Sequence, residues 1–179
     1  MAPNAITPPL KLSLLLLLAI SISTQSQPHQ LKETNMTLYF QDVSAGPNAT
    51  AVPITGIPGH LWTFASFGTV YCTDDPMTES IEQSSAQVAR GQGIYVTSAL
   101  DGSTTHVLIS IVFTNAKFNG STLEIQGASQ QFEKMREVAV VGGTGKFRYA
   151  KGFATLMTVY LDTTIAYAVI QCNITVQHY

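Results

Sequence analysis

The sequence predicts an all-β protein, a single-domain, eight-stranded antiparallel β-barrel, on the strength of three observations. Eight segments are rich in β-branched and aromatic residues and alternate apolar with polar side chains, which is typical of strands. Clusters of Gly, Pro, Asn and Asp separate these segments, and several are short enough to form hairpins. The segments fall within about 150 residues, and closure into a barrel removes the exposed edges of so many antiparallel strands. A two-sheet sandwich is the alternative architecture.

The first predicted strand shows the alternation clearly, because Met36, Leu38 and Phe40 share one face and polar residues lie on the other. The segment 79–88 is the only part of the mature chain that favours a helical turn. The predicted strands, in chain order, are 36–42, 64–73, 93–98, 105–114, 122–126, 136–141, 147–161 and 165–176. The turns predicted between them include 46–48, 74–76, 101–102, 119–120 and 142–145.

The beginning of the chain predicts a cleaved secretory signal peptide at residues 1–26. Lys11 precedes the apolar run 14–20, and small and polar residues follow it. This run is shorter than the roughly 20 residues that cross a bilayer; a membrane anchor or a buried helix is the alternative interpretation. Residues 27–34 are polar and predict a flexible N-terminal arm, and residues 35–179 form the barrel domain. We therefore expect a secreted protein without a membrane partner.

Composition argues against several classes of function. Only 11% of residues are charged and the net charge is −2, so no basic surface predicts a nucleic-acid partner. The four histidines are scattered, without the spacing of a metal site, and we expect no metal and no cofactor. The glycines at 142–145 lack the first glycine and the Ser/Thr of a phosphate-binding loop. Nothing resembles the G-x-S-x-G motif of a hydrolase.

The chain also contains four N-glycosylation sequons, which fit a secreted glycoprotein. Their asparagines are Asn35, Asn48, Asn119 and Asn173. Two cysteines, Cys72 and Cys172, are present. In an oxidising compartment they could form a disulfide, and they could equally be two small buried residues.

Four polar residues fall on otherwise apolar strand faces and are candidate site residues. Asp42 continues the face of Met36 and Phe40, and a carboxyl facing a barrel interior would have a raised pKa suited to proton transfer. Capping of the following turn is the alternative role for Asp42. The remaining candidates are Arg136, Tyr95 and Lys151, of which the lysine could instead extend its amine into solvent.

Several motifs together resemble the dirigent family of plants, in family order over residues 36–179. They are Tyr39-Phe-Gln-Asp42, Phe67-Gly-Thr followed by Asp74-Asp-Pro-Met-Thr78, Ala89-Arg-Gly-Gln-Gly-Ile-Tyr95, Phe118-Asn-Gly-Ser-Thr-Leu123, Arg136-Glu-Val-Ala-Val-Val-Gly-Gly-Thr-Gly-Lys-Phe147 and His178-Tyr179. The glycine-rich block joined to the R-E-x-x-V-V segment is the most specific of them.

The resemblance implies an eight-stranded barrel, usually trimeric, secreted to the apoplast. It implies a protein without oxidative activity of its own, which directs the coupling of phenoxy radicals from monolignols made by a separate laccase or peroxidase. By position, Asp42 matches a proposed acid of the family, Tyr95 a pocket tyrosine and Arg136 an arginine proposed to bind phenolic oxygens. Orientation and placed proton donors would suffice for this role.

Departures from the lignan-forming branch make pinoresinol an unexpected product. Ser129, Thr97 and Lys146 stand where that branch carries an aspartate, a second pocket tyrosine and another aspartate, and its cysteine pair is absent. The pattern is more similar to the branch that contains pterocarpan synthases. The function we expect is stereoselective radical coupling as an auxiliary, with dehydrating cyclisation as an enzyme as the first alternative and binding of phenolics without chemistry as the second.

Overall fold

A computed structural model describes residues 30–179, so the predicted signal peptide lies outside the described residues. In this part of the chain we find nine strands, one 3₁₀ helix and no α-helix. The strands are β1 (Lys32–Val43), β2 (Ala51–Thr55), β3 (Val70–Thr78), β4 (Gln87–Thr97), β5 (Thr104–Phe113), β6 (Thr122–Gln130), β7 (Arg136–Gly143), β8 (Lys151–Asp162) and β9 (Tyr167–His178), and the 3₁₀ helix is Gly145–Phe147. Accordingly, residues 30–179 offer no helix of the length and apolarity that a bilayer crossing needs.

All strands pair antiparallel in the order β1-β9-β8-β7-β6-β5-β4-β3-β2, and the sheet closes where β1 also pairs with β3. At this seam Tyr39 pairs with Thr78 and Phe40 with Met77. Beyond it β1 leaves β3, and β2 takes its place with Ala51 opposite Thr73. The predicted eight-stranded barrel is confirmed. The additional strand β2 was missed because it is short and contains Pro53.

The interior of the barrel is apolar along most of its length. Its fully buried side chains include Ile111, Leu123, Ile125, Val140 and Ile174. One end is closed by packed rings, since the centroids of Phe113 and Phe118 each lie about 5 Å from that of Phe147. Residues from the opposite end of the same strands surround a cavity, described below.

The predicted turn at 74–76 is wrong, because these residues lie in the middle of β3. Turn chemistry misled the prediction: Asp-Asp-Pro is common in turns, and Pro is rare inside sheets. Pro76 is tolerated because it lies at the seam, where it pairs with Arg90 on one side. On its other side β1 pairs with β3 only as far as Met77. The strand predicted at 64–73 begins only at Val70 and continues through the predicted turn to Thr78.

Three further boundaries differ from the prediction. The strand predicted from 147 begins at Lys151, because the chain first passes through the 3₁₀ helix and through Tyr149, whose φ is 63°. The segment 79–86 forms no helix, and β4 begins at Gln87. The predicted flexible arm is partly strand, since Lys32 already pairs with His178 across β1 and β9.

Candidate active site

The barrel holds a cavity of about 130 Å³ at the end opposite the packed phenylalanines. A cavity of roughly 150 Å³ accommodates a molecule the size of benzene, so this one suits a single aromatic ring. Its wall is mostly apolar, with side chains such as Phe40, Val107 and Leu156. The polar side chains of the wall belong to Asp42, Thr73, Asp75, Tyr95, Thr105, Ser129, Gln131 and Arg136.

Two carboxyl groups meet at the seam of the barrel. Asp42 lies two residues beyond Phe40 on β1, and Asp75 lies two residues before Met77 on β3, just past the last paired residues of the seam. Both side chains line the cavity, and Asp75 is only 4% exposed. The seam thus brings together two acidic groups that are 33 positions apart in the sequence.

Burial raises the pKa of both carboxyl groups. For Asp42 burial, reinforced by the charge of Asp75, raises the pKa to about 7. For Asp75 burial raises the pKa to about 6, and the hydroxyls of Thr50 and Thr73 oppose this rise. The Thr50 hydroxyl donates to Asp75 Oδ1 at 2.5 Å. Two carboxyl groups in one apolar site do not both ionise readily, and the hydrogen bond from Thr50 favours the negative charge on Asp75 and the proton on Asp42.

Three stacked aromatic rings form one side of the site. The centroid of Tyr71 lies 4.4 Å from that of Phe64 and 5.1 Å from that of Tyr95. The hydroxyl of Tyr95 is buried without a hydrogen-bond partner among residues 30–179. Burial also raises the pKa of Tyr95, so this hydroxyl keeps its proton. It is available to donate a hydrogen bond to a ligand in the cavity.

The roof of the cavity is Phe64, carried by the long segment between β2 and β3. The backbone oxygen of Phe64 accepts a bond of 2.8 Å from Thr97 Oγ1 and another of 2.8 Å from Gln131 Nε2. The loop between β4 and β5 packs tightly on this segment: Gly102 has a φ of 76°, and a Cβ there would lie 2.2 Å from the oxygen of Ala65. The roof is therefore held by defined contacts.

Arg136 supplies a cation on the far side of the cavity from the seam. Its Nη2 donates to Thr158 Oγ1 at 3.1 Å, and its Nε reaches the Leu156 oxygen at 3.5 Å. Burial lowers its pKa, though an arginine stays protonated at neutral pH. Within residues 30–179 the one ion pair joins Arg90 and Asp74 elsewhere. The guanidinium of Arg136 thus has no carboxylate partner in this part of the chain, and it lines the cavity, where it can bind an oxygen of a ligand.

The structure brings three of the four predicted site residues together and leaves one out. Asp42, Tyr95 and Arg136 all line the cavity, whereas Lys151 is exposed and does not. Lys151 was assigned by its alternation with Phe147, but Phe147 ends the 3₁₀ helix and Tyr149 has a φ of 63°, so no continuous strand joins the two. Within β8 the buried residues are Ala154 and Leu156, on the opposite face from Lys151.

Sequence reasoning missed Asp75, Thr50 and Phe64. A signal for Asp75 was present, because Tyr71, Thr73, Asp75 and Met77 are alternate residues and all are buried. Only the assignment of Asp-Asp-Pro as a turn concealed it. Thr50 and Phe64 lie in irregular segments and act through contacts that no periodicity encodes.

The predicted glycosylation sites and cysteines lie away from the cavity wall. Asn48 and Asn119 are exposed in loops. The other two sequons face each other across β1 and β9: Thr175 donates to Asn35 Oδ1 at 2.7 Å, and Thr37 donates to Asn173 Oδ1 at 2.9 Å. Cys72 is exposed and Cys172 is buried, and neither forms a disulfide.

A closed antiparallel barrel with a ring-sized, mostly apolar cavity and a few placed polar groups belongs to the class of small-ligand barrels. The family model described as Dirigent-like protein matches residues 33–177. The chain therefore belongs to the dirigent family, and the resemblance seen in its motifs is confirmed.

Relatives cover most of the chain. Dirigent protein 1 of Arabidopsis thaliana is 38% identical over 167 residues, which are 88% of this chain and 92% of the relative. Pterocarpan synthase 1 of Glycine max is 36% identical over 147 residues, 82% of this chain and 79% of the relative. A solved structure of a pterocarpan synthase dirigent protein matches with a TM-score of 0.77 at 35% identity, covering 86% of this chain and 88% of that chain.

We expect Arg136→Met to weaken binding of a phenolate by about tenfold, because a charged hydrogen bond contributes roughly 1.5 kcal/mol or more. Methionine keeps much of the side-chain length and removes the charge. The binding of 4-nitrophenolate can be followed through the fluorescence of Trp62, the single tryptophan of the chain, whose backbone oxygen contacts the Tyr71 hydroxyl.

Lys151→Met is the matched control, since it also replaces a cationic side chain with methionine, but outside the cavity. It should leave the affinity unchanged. An equal loss of affinity in the two variants would mean that phenolate binding depends on the net charge of the protein and not on a contact with Arg136.

Proposed function

We propose that this protein is a dehydrating cyclase that acts on a phenolic benzylic alcohol through a quinone methide. One observation supports it above all: the cavity fits one ring and places a protonated carboxyl, Asp42, in the same space as an unpaired arginine, Arg136. An acid and a cation at a phenolic ring are what loss of water from such an alcohol requires.

In the first step Asp42 donates its proton to the benzylic hydroxyl, the carbon–oxygen bond breaks and water leaves. The phenolic O–H loses its proton to solvent, and its electron pair forms the carbonyl of the quinone methide. Arg136 stabilises the negative charge that develops on this oxygen. The buried hydroxyl of Tyr95 is a second donor in the cavity wall.

In the second step a hydroxyl elsewhere in the substrate attacks the exocyclic carbon. A new carbon–oxygen bond forms, the ring becomes aromatic again, and the attacking hydroxyl releases its proton to the carboxylate of Asp42. The phenolic oxygen regains a proton from solvent. Only water is lost overall, so the reaction needs no oxidant. Because the wall of the cavity covers one face of the ring, closure occurs from the other face and gives one enantiomer.

Stereoselective coupling of phenoxy radicals, as an auxiliary to a laccase or peroxidase, is the second candidate function. The dirigent relative of Arabidopsis thaliana supports it, with 38% identity over nearly the whole chain. In that function too, Asp42 and Arg136 would act in the ring closure that follows the coupling of the radicals.

Chiral chromatography with two reaction mixtures separates these candidates. The first contains a racemic isoflavanol and no oxidant; the second contains coniferyl alcohol and a laccase. We expect protein-dependent loss of water and one enantiomer of a cyclised product in the first, and an unchanged enantiomer ratio in the second. A shifted ratio in the second mixture alone, at unchanged phenol consumption, would make the protein a coupling auxiliary.

The remaining sequence-based expectations are part of the same proposal: secretion to the apoplast, glycosylation of the sequons and assembly into a homo-oligomer, which the family resemblance implies is a trimer. Exposed apolar residues on the outer face of β4 to β7 support assembly there, among them Ile94, Leu108 and Val141. The sequons on β1 and β9 would place glycans on another part of the barrel. Sedimentation velocity on the secreted protein measures the mass of the assembly.

A further inference from the structure

Asp75 takes no part in the two steps proposed above, yet it is a buried carboxyl that faces the same cavity as Asp42. It lies on β3 just beyond the paired residues of the seam, close enough for its charge to act on Asp42, and is 4% exposed. Its neighbour Asp74 forms the ion pair with Arg90, and the side chain of Asp74 is half exposed. The two adjacent aspartates of β3 thus have different surroundings: one is paired with a cation and the other faces an acid.

Thr50 makes the two carboxyl groups of the seam unequal. Its hydroxyl accepts a bond from the Val43 backbone nitrogen at 3.0 Å and donates its single proton to Asp75. The backbone nitrogen of Thr50 in turn donates to the Val43 oxygen at 2.7 Å, so the segment 44–50 is folded back to hold this hydroxyl in place. None of the side-chain hydrogen bonds in residues 30–179 reaches the carboxyl of Asp42. A donor therefore stabilises the charged form of Asp75 and not that of Asp42.

Few other ionisable groups face Asp42 from the surrounding strands. Tyr71 on β3 and Tyr95 on β4 are neutral at neutral pH, since burial and the carboxyl charges raise the pKa of both. Arg136 on β7 lines the same cavity but hydrogen-bonds to β8. The charge that acts on the Asp42 carboxyl is that of Asp75. Two carboxyl groups in one apolar site cannot both ionise readily, and the group without a donor keeps the proton.

We propose that Asp75 is a positioning residue, whose negative charge, fixed by Thr50, keeps the proton on Asp42 and so assigns the role of acid to Asp42. The inference rests on the proposed function in taking Asp42 as the acid, but it concerns the location of a proton and can be measured without any substrate. It also gives the segment 44–50 a role, because this segment carries the hydroxyl that makes the two carboxyl groups unequal.

The test is a titration of the Asp42 carboxyl by ¹³C NMR in protein labelled at the aspartate carboxyl carbons, with the signal assigned by its loss in Asp42→Asn. We expect Asp75→Asn to move the midpoint of Asp42 down by about one pH unit or more, because the neighbouring charge is gone. Thr50→Val removes the larger of the two threonine contributions to the charged form of Asp75 and should also lower the midpoint of Asp42, by less than Asp75→Asn does. Thr50→Ser keeps the hydroxyl and should restore the wild-type midpoint.

Two controls match these variants. Asp74→Asn removes a carboxylate from the adjacent position of β3 whose charge acts on Asp75 and not on Asp42, so it should move the Asp42 midpoint much less than Asp75→Asn does. Asn48→Gln removes the same sequon as Thr50→Val while keeping the hydroxyl, so it separates the glycan from the hydrogen bond. An unchanged Asp42 midpoint in Asp75→Asn would overturn the inference.

The pH dependence of cyclisation provides a second readout. In Asp75→Asn the loss of activity at high pH should set in at lower pH by the same amount, with little change in the maximal rate. A rate that falls at every pH without a shift of the profile would also overturn the inference, since Asp75 would then act on the substrate itself. If the wild-type protein cyclises nothing, the proposed function fails, while the NMR titration still decides the role of Asp75.

Discussion

Asp42→Asn should lower the rate of cyclisation by about 10²–10⁴-fold, the usual contribution of a general acid. Asparagine has nearly the same shape, so the cavity keeps its volume, but an amide cannot give a proton to a leaving hydroxyl. Initial rates with a racemic isoflavanol, measured by loss of substrate on a chiral column, give the effect. Binding of an unreactive phenol should change little, because Arg136 and the aromatic wall remain.

Asp101→Asn is the control for this prediction, since Asp101 lies in the exposed loop between β4 and β5, where its carboxylate accepts a bond from the Ser103 backbone nitrogen. It should keep the wild-type rate. An Asp42→Asn variant that retains a tenth or more of the rate would show that water or another group supplies the proton.

We also expect the free energy of unfolding to fall as the pH rises from 5 to 8. Asp42 and Asp75 have pKa values of about 7 and about 6 in the folded protein, raised chiefly by burial, against about 4 in the unfolded chain. Between pH 4 and 7 the folded state therefore binds more protons than the unfolded state, and stability is lost with rising pH. Each pKa unit corresponds to about 1.4 kcal/mol, so the loss amounts to several kcal/mol.

Urea unfolding at pH 5, 6.5 and 8 measures this loss. The asparagine of Asp42→Asn is uncharged at each of these pH values. The free energy of unfolding of this variant should therefore exceed that of the wild type by about 2 kcal/mol or more at pH 8, and should be close to it at pH 5. Exposed carboxyl groups with lowered pKa values, such as Asp101 and Asp162, affect the stability of the protein only at pH values below this range. They therefore do not contribute to the change between pH 5 and 8. A wild-type protein that gains stability up to pH 8 would contradict the assignment.

Much of the site followed from strand alternation alone. Asp42 and Arg136 were assigned to the interior because they share faces with apolar neighbours in a period of two, and the structure places both on the cavity wall. The same reasoning failed for Lys151, because the strand begins only at this residue and a 3₁₀ helix precedes it. Alternation is therefore informative only within a strand whose ends are known.

The pairing of Asp42 with Asp75 could not be predicted from local sequence. It depends on the seam at which β1 pairs with β3 and then leaves it, a long-range contact set by the closure of the whole barrel. Thr50 and Phe64 depend on irregular segments that are fixed by individual hydrogen bonds. Propensity and periodicity carry no information about such contacts.

The most direct test of the central claim is a crystal structure with an isoflavan phenol that lacks the leaving hydroxyl. We predict that one ring occupies the cavity, with its phenolic oxygen within hydrogen-bonding distance of Arg136 and the carbon that would carry the leaving group next to Asp42. A ligand bound only on the outer surface, such as at Tyr160 and Tyr167, with the cavity unchanged, would contradict a reaction inside the barrel.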